Sequence, residues 1–151
     1  MTIIKRDIAV SCPPEHVFAV LANVERLPEF SDMTVRVENG PGRPVEVGDT
    51  FDQVVKILGI ELDTEWEVTG VVPGRSITVS GISKSNGKAS LTETITPTGD
   101  GCRVDFEVDY DLPLGILGEI ADKLIVEKKN EDTAEQILTK LKALCEGTLS
   151  A

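Results

Sequence analysis

The chain has few aromatic and few basic residues. Phe, Trp and Tyr make up only 4% of its 151 residues, so aliphatic side chains must build most of the core. Fifteen Lys and Arg residues stand against 26 Asp and Glu, which leaves a net charge of −11. Such a charge repels the phosphates of nucleic acids and the headgroups of anionic membranes. The composition therefore argues against both classes of partner.

Long apolar runs and clustered metal ligands are also missing. No segment approaches the roughly 20 apolar residues of a membrane-spanning helix, and the first residues lack the apolar stretch of a signal peptide. Three widely spaced cysteines and a single histidine, His16, cannot form a usual zinc site. Having one histidine also excludes most His-dependent nucleophile schemes, because His16 would have to be the base, and His16 is expected to be exposed. We expect a cytoplasmic protein with reduced thiols, no integral membrane association, no metal and no cofactor.

The order of predicted elements indicates an α+β fold in one domain, residues 1–151. A strand over residues 3–10 precedes a short helix that ends at Asn23 and a second helical piece over 24–30. Short turns separate the later strands, which makes the sheet antiparallel. A closing helix is predicted from Ile116 to Glu146, with Gly147 as its stop. The intervening strands are predicted over residues 34–38, 50–58, 60–72, 76–80, 89–96 and 102–112.

Several local motifs resemble one known superfamily. They are Pro13-Pro14-Glu15-His16-Val17-Phe18, Val47-Gly48-Asp49, Val71-Val72-Pro73-Gly74-Arg75 and the hairpin Thr96–Val104. With the closing helix, they are similar to the START-like (SRPBCC, helix-grip) superfamily of polyketide cyclase/dehydrase and lipid-transport-like proteins. The resemblance spans nearly the whole chain. It implies a birch-pollen-allergen-like fold, in which a seven-stranded curved antiparallel sheet, two short helices and a long C-terminal helix enclose a cavity. Functions in this superfamily are diverse, so the occupant stays open.

Two predicted strands alternate cleanly between acidic and mainly apolar residues. Every second residue from Leu62 to Val68, and again from Val104 to Leu112, belongs to the apolar-rich set, and the residues between are Asp or Glu. Successive side chains of a strand point to opposite faces of the sheet. The acids therefore belong to a solvated face, which we interpret as solubilising rather than metal-binding. The other set points beneath the long helix.

A polar minority falls among these inward positions, namely Arg6, Gln53, Thr64, Glu93 and Tyr110. A buried charge costs several kcal/mol unless it is paired. Arg6 and Glu93 are therefore expected either to pair with each other, across roughly 10 Å between backbones, or to hold a polar group of a ligand. A one-residue register slip would instead turn one of them to solvent. We take Glu93, Arg6 and Tyr110 as candidate catalytic residues.

The register behind this expectation pairs the first strand with the last, Val10 opposite Val104, and places Glu93 opposite Phe106. The inward positions and the apolar face at the start of the long helix together define a predicted ligand-binding set. Its members are Phe51, Gln53, Val55, Leu62, Thr64, Trp66, Leu91, Glu93, Phe106, Val108, Tyr110, Leu117, Ile120 and Leu124.

Three functions are compatible with this pattern. The first is binding of a hydrophobic small molecule, such as a lipid, polyketide or isoprenoid, by a monomer or homodimer. The second is a polyketide cyclase or dehydratase, with Glu93 as base and Arg6 or Tyr110 stabilising an enolate oxygen. The third is a protein-interaction module of co-chaperone type, whose acidic surface would dock a basic partner.

Overall fold

A computed structural model describes residues 2–57, 59–83, 87–111 and 123–150 of the chain. Three short helical pieces follow the first strand, and one long helix ends the described chain. The elements are β1 (Thr2–Val10), α1 (Pro14–Ala22), a 3₁₀ turn (Val24–Arg26), α2 (Leu27–Phe30), β2 (Thr34–Glu38), β3 (Thr50–Ile57), β4 (Ile60–Val72), β5 (Ser76–Ser83), β6 (Lys88–Thr98), β7 (Gly101–Asp111) and α3 (Lys123–Ser150).

The seven strands form one antiparallel sheet in the order β1-β7-β6-β5-β4-β3-β2. From β2 to β7, each strand pairs with the next one along the chain, as short turns dictate. β1 closes the order by pairing with β7, and α3 packs against β1 and α2. The predicted α+β, helix-grip architecture is confirmed: a curved seven-stranded sheet, two short helices and a long C-terminal helix.

The predicted end of the last helix is wrong. The helix continues through Gly147 to Ser150. Glycine costs a helix only about 1 kcal/mol relative to alanine, and a Cβ at Gly147 would meet no atom within 4 Å. The predicted first helical residues, 116–122, lie outside the described part of the chain.

The predicted register of β1 on β7 is wrong by two residues. Val10 pairs with Cys102 rather than with Val104, so Arg6 lies opposite Phe106. The reason lies at Gly101, where a Cβ would come within 2.2 Å of the Val10 carbonyl oxygen. Only glycine allows this close approach of the two backbones. The predicted β6–β7 register is confirmed, with Glu93 on the other side of Phe106.

Three buried thiols fill the core where α3 crosses the end of β1. Cys12, Cys102 and Cys145 form no disulfide with one another, and each is at most 1% exposed. Burial raises the pKa of the Cys145 thiol to about 12, and it also raises those of Cys12 and Cys102. Thiols of this kind are structural rather than nucleophilic. His16, expected to be exposed, is half-buried because its Nε2 lies 3.1 Å from the Cys145 carbonyl oxygen.

Candidate ligand-binding site

A pocket of about 180 Å³ lies between the inner face of the sheet and α3. Strands β1 and β3 to β7 supply its floor and walls, because their apolar positions alternate with outward-facing ones. The segment from Leu21 to Met33 covers a second side, and Asn130, Thr133, Ala134 and Ile137 of α3 cover the top. The pocket is therefore bounded by every layer of the fold.

Eleven of the fourteen predicted ligand-binding residues line this pocket. Leu117 and Ile120 lie outside the described residues, and nothing is described of the Leu124 side chain. Period-two alternation thus brings the inward positions of four strands together. The eleven are Phe51, Gln53, Val55, Leu62, Thr64, Trp66, Leu91, Glu93, Phe106, Val108 and Tyr110.

Sequence reasoning missed the contribution of β5 and of the short helices. Ile77, Val79, Gly81 and Ser83 follow the same period-two rule as the residues above, and that signal could have identified them. The side chains from the short helical region carry no comparable signal, because short apolar runs do not show which face is inward. The residues missed there are Leu21, Val24, Leu27, Phe30, Ser31 and Met33.

The Trp66 indole lies flat on the floor of the pocket. Its ring covers Gly81 on the neighbouring strand so closely that a Cβ there would sit 2.5 Å from a ring carbon. The indole nitrogen donates to the Thr64 hydroxyl at 2.8 Å. Phe51, the cross-strand partner of Trp66, runs nearly parallel to it with ring centroids 6.4 Å apart. These contacts fix the indole, which lines the pocket.

A buried hydrogen-bond network fixes Gln53 at one end of the pocket. The Thr34 hydroxyl donates to the Gln53 side-chain oxygen and lies 2.9 Å from the Ser31 hydroxyl. The Thr64 hydroxyl donates to the Gln53 backbone carbonyl at 2.5 Å. Within the described part of the chain, no acceptor meets the Gln53 amide nitrogen. The two N–H donors of the Gln53 side chain are therefore unused among the described residues.

Glu93 is the acid placed in the apolar part of the pocket. It lies on β6 between Ile77 of β5 and Phe106 of β7. Among the described residues, no hydrogen-bond donor or cation contacts its carboxyl group. Desolvation by the surrounding apolar atoms raises its pKa from 4.5 to about 7. A group with this pKa can hold or release a proton near neutral pH.

The other two catalytic candidates lie in different surroundings. Tyr110 lines the pocket with its hydroxyl buried. Arg6 does not line the pocket, contrary to the expectation that it faces Glu93. Its Nε donates to Glu135 at 3.2 Å, and a terminal nitrogen lies 3.7 Å from Glu131. Arg6 is on the helix side of the sheet as predicted, but β1 is the edge strand, where acids of α3 reach it first.

Comparison with known proteins assigns this chain to a family. The profile of the family described as polyketide cyclase / dehydrase and lipid transport matches residues 1–146. The chain belongs to this family. The START-like resemblance is thereby confirmed. No curated protein matches the chain, and none of the helices in its described part is long and apolar enough to cross a membrane.

Solved structures similar to this family member share its fold over nearly the full length. TTHA0849 from Thermus thermophilus is 20% identical, with a TM-score of 0.75, covering 97% of this chain and 99% of its own. The Zhui aromatase/cyclase from Streptomyces sp. R1128 is 15% identical, with a TM-score of 0.75 and coverages of 96% and 93%. Ara h 8.0201 is 11% identical, with a TM-score of 0.68 and coverages of 97% and 98%. At these identities the likeness establishes the fold alone.

Proposed function

We propose that the pocket beneath α3 binds a hydrophobic small molecule. The observation that carries this proposal is the lining, where aliphatic and aromatic side chains surround a few placed polar groups such as Gln53 and Glu93. That composition is typical of small-molecule sites. Membership of a family named for polyketide and lipid chemistry supports the same conclusion.

The size of the pocket favours a compact ligand. A dry cavity of about 150 Å³ lined by aliphatic and aromatic residues accepts benzene, and the pocket here is about 180 Å³. One or two fused rings with a short polar substituent match that space. Naphthylmethanol is therefore a suitable neutral probe.

We expect Leu91→Trp to weaken binding of naphthylmethanol at least about tenfold, or 1.4 kcal/mol. Leu91 lies in the middle of the pocket floor, on β6 between Val79 and Val108. A larger side chain there occupies the space that the ring would fill. Isothermal titration calorimetry of the wild type and the variant measures the difference.

Thr92→Trp is the matched control, because Thr92 is the next residue of β6 and points to the opposite face of the sheet. Binding by this variant should stay close to that of the wild type. Equal affinity of the Leu91 and Thr92 variants would place the probe elsewhere on the molecule and contradict the proposal.

Catalysis of the cyclase or dehydratase type is the second candidate function. Glu93 favours it, because a carboxyl group with a pKa of about 7 in an apolar pocket suits proton transfer. The similarity of this fold to that of an aromatase/cyclase also supports a catalytic function. Since Arg6 is engaged by α3, Tyr110 is the group left to stabilise an enolate oxygen.

On a poly-β-ketone substrate, we expect Glu93→Gln to reduce turnover about 10²-fold or more, the usual scale of general base catalysis. Tyr110→Phe should reduce it less, because one hydrogen bond is lost. Retained turnover in both variants would eliminate this mechanism.

A further inference from the structure

The charge of the pocket is unbalanced. Of the side chains that the structure describes in its lining, the ionisable ones are Glu93, Tyr110, Lys88 and Asp111. Lys88 and Asp111 are exposed cross-strand partners at one end, where β6 begins and β7 ends. Glu93 lies five residues along β6 from Lys88, among apolar neighbours. The described lining thus holds one acid among apolar neighbours and no base in the same position.

Among the residues that the structure describes, the neighbouring elements offer no cation to Glu93. The nearest basic residue on its row of the sheet is Arg6, beyond Phe106. Arg6 is held by Glu131 and Glu135 of α3 and donates to the Lys5 carbonyl oxygen at 2.7 Å. α3 contributes Asn130, Thr133, Ala134 and Ile137 to the lining, none of them charged. Within the described part of the chain, Glu93 has no charge partner, so this position is open to a cationic group of a ligand.

Aromatic rings also line the pocket, one beside Glu93 and two farther along the sheet. Phe106 is the direct cross-strand neighbour of Glu93, and Phe51 and Trp66 lie parallel on the floor. The faces of such rings attract cations, most strongly when water is excluded. A carboxylate together with aromatic faces is a combination that recognises an ammonium group. The net charge of −11 also raises the local concentration of cations around the molecule.

We propose that the ligand of this pocket is a hydrophobic amine, whose ammonium group pairs with the Glu93 carboxylate while its apolar body contacts Phe106 and the aliphatic lining. This inference rests on the proposed function, because it specifies the chemical class of the small molecule. Folding has already removed water from the carboxyl group of Glu93. The ligand therefore forms a charge-assisted hydrogen bond with it at no further cost of desolvating that group. A carboxylate ligand would meet the like charge of Glu93 and no buried base.

Three probes with one ring system test the inference: naphthylmethylamine, naphthylmethanol and naphthoic acid. Titration calorimetry at about pH 8, where Glu93 and the acid probe are ionised and most of the amine is charged, should give single-site binding. About 0.15 M salt screens attraction to the acidic surface. We expect the amine to bind at least about tenfold more tightly than the alcohol, and the acid to bind most weakly.

Two variants assign the preference to Glu93. Glu93→Gln should bring the amine-to-alcohol affinity ratio to about one, whereas Glu107→Gln, on the opposite face of the sheet, should keep the wild-type ratio. An alcohol that binds as tightly as the amine to the wild type would overturn the amine inference and leave the proposed function standing. Failure of all three probes to bind would overturn both.

Discussion

Replacing Glu93 with Gln is expected to remove a large pH dependence from the stability of the protein. The pKa of Glu93 is about 7 in the folded chain, against an ordinary value of 4.5. Between these values the native state holds a proton that the unfolded chain releases, so the unfolding free energy falls as pH rises. A shift of this size corresponds to a loss of up to about 3 kcal/mol above pH 7.

The measurement is urea unfolding of wild type and Glu93→Gln at about pH 4 and about pH 8. Relative to the wild type, the variant should gain up to about 3 kcal/mol between the two conditions. Glu107→Gln is the control, because Glu107 is exposed on the other face, where its carboxylate forms an ion pair with Lys5 at 3.7 Å. Parallel pH profiles for the wild type and both variants would show that Glu93 is solvated, contrary to this account.

Gly81→Ala is expected to close part of the pocket. Its Cβ would lie 2.5–2.6 Å from three atoms of the Trp66 indole, so the ring has to rise from the sheet. The movement breaks the hydrogen bond to Thr64 and fills space that a ligand would use. We expect a stability loss of about 1–3 kcal/mol, typical of overpacking, and an affinity for naphthylmethanol at least about tenfold weaker.

Gly99→Ala provides the matched control. Gly99 lies in the β6–β7 turn, where a Cβ would meet no atom within 4 Å. The unfolding free energy of this variant should differ from that of the wild type by no more than about 0.5 kcal/mol, the usual range for surface substitutions. Its affinity for naphthylmethanol should be unchanged. If Gly81→Ala binds naphthylmethanol as the wild type does, the space above Trp66 is not where that ligand lies.

Alternation along single strands made most of the pocket predictable. Trp66 and Thr64 on β4, and Phe106 and Val108 on β7, are each separated by an acid, so one period-two rule assigned their face. The same rule assigned Glu93. Such a pattern is local, and it requires only that the strand be recognised as a strand.

Residues that depend on pairing between distant segments were not predictable in this way. β5 was expected to end at Ser80, because Gly81 and Ser83 have little intrinsic preference for strands. Pairing with β4 and β6 extends it to Ser83 and adds both residues to the pocket. The partners of Arg6 lie on α3, more than a hundred residues along the chain. No local pattern reports such a contact.

Native mass spectrometry of the freshly purified protein tests the central claim, that this family member holds a hydrophobic small molecule in its pocket, most directly. We expect a species heavier than the 16.3 kDa chain by one discrete mass, which unfolding releases into an organic extract. Gly81→Ala should reduce that species, and Gly99→Ala should retain it. The bare chain mass in every preparation, together with failure of naphthylmethanol to bind, would contradict the account.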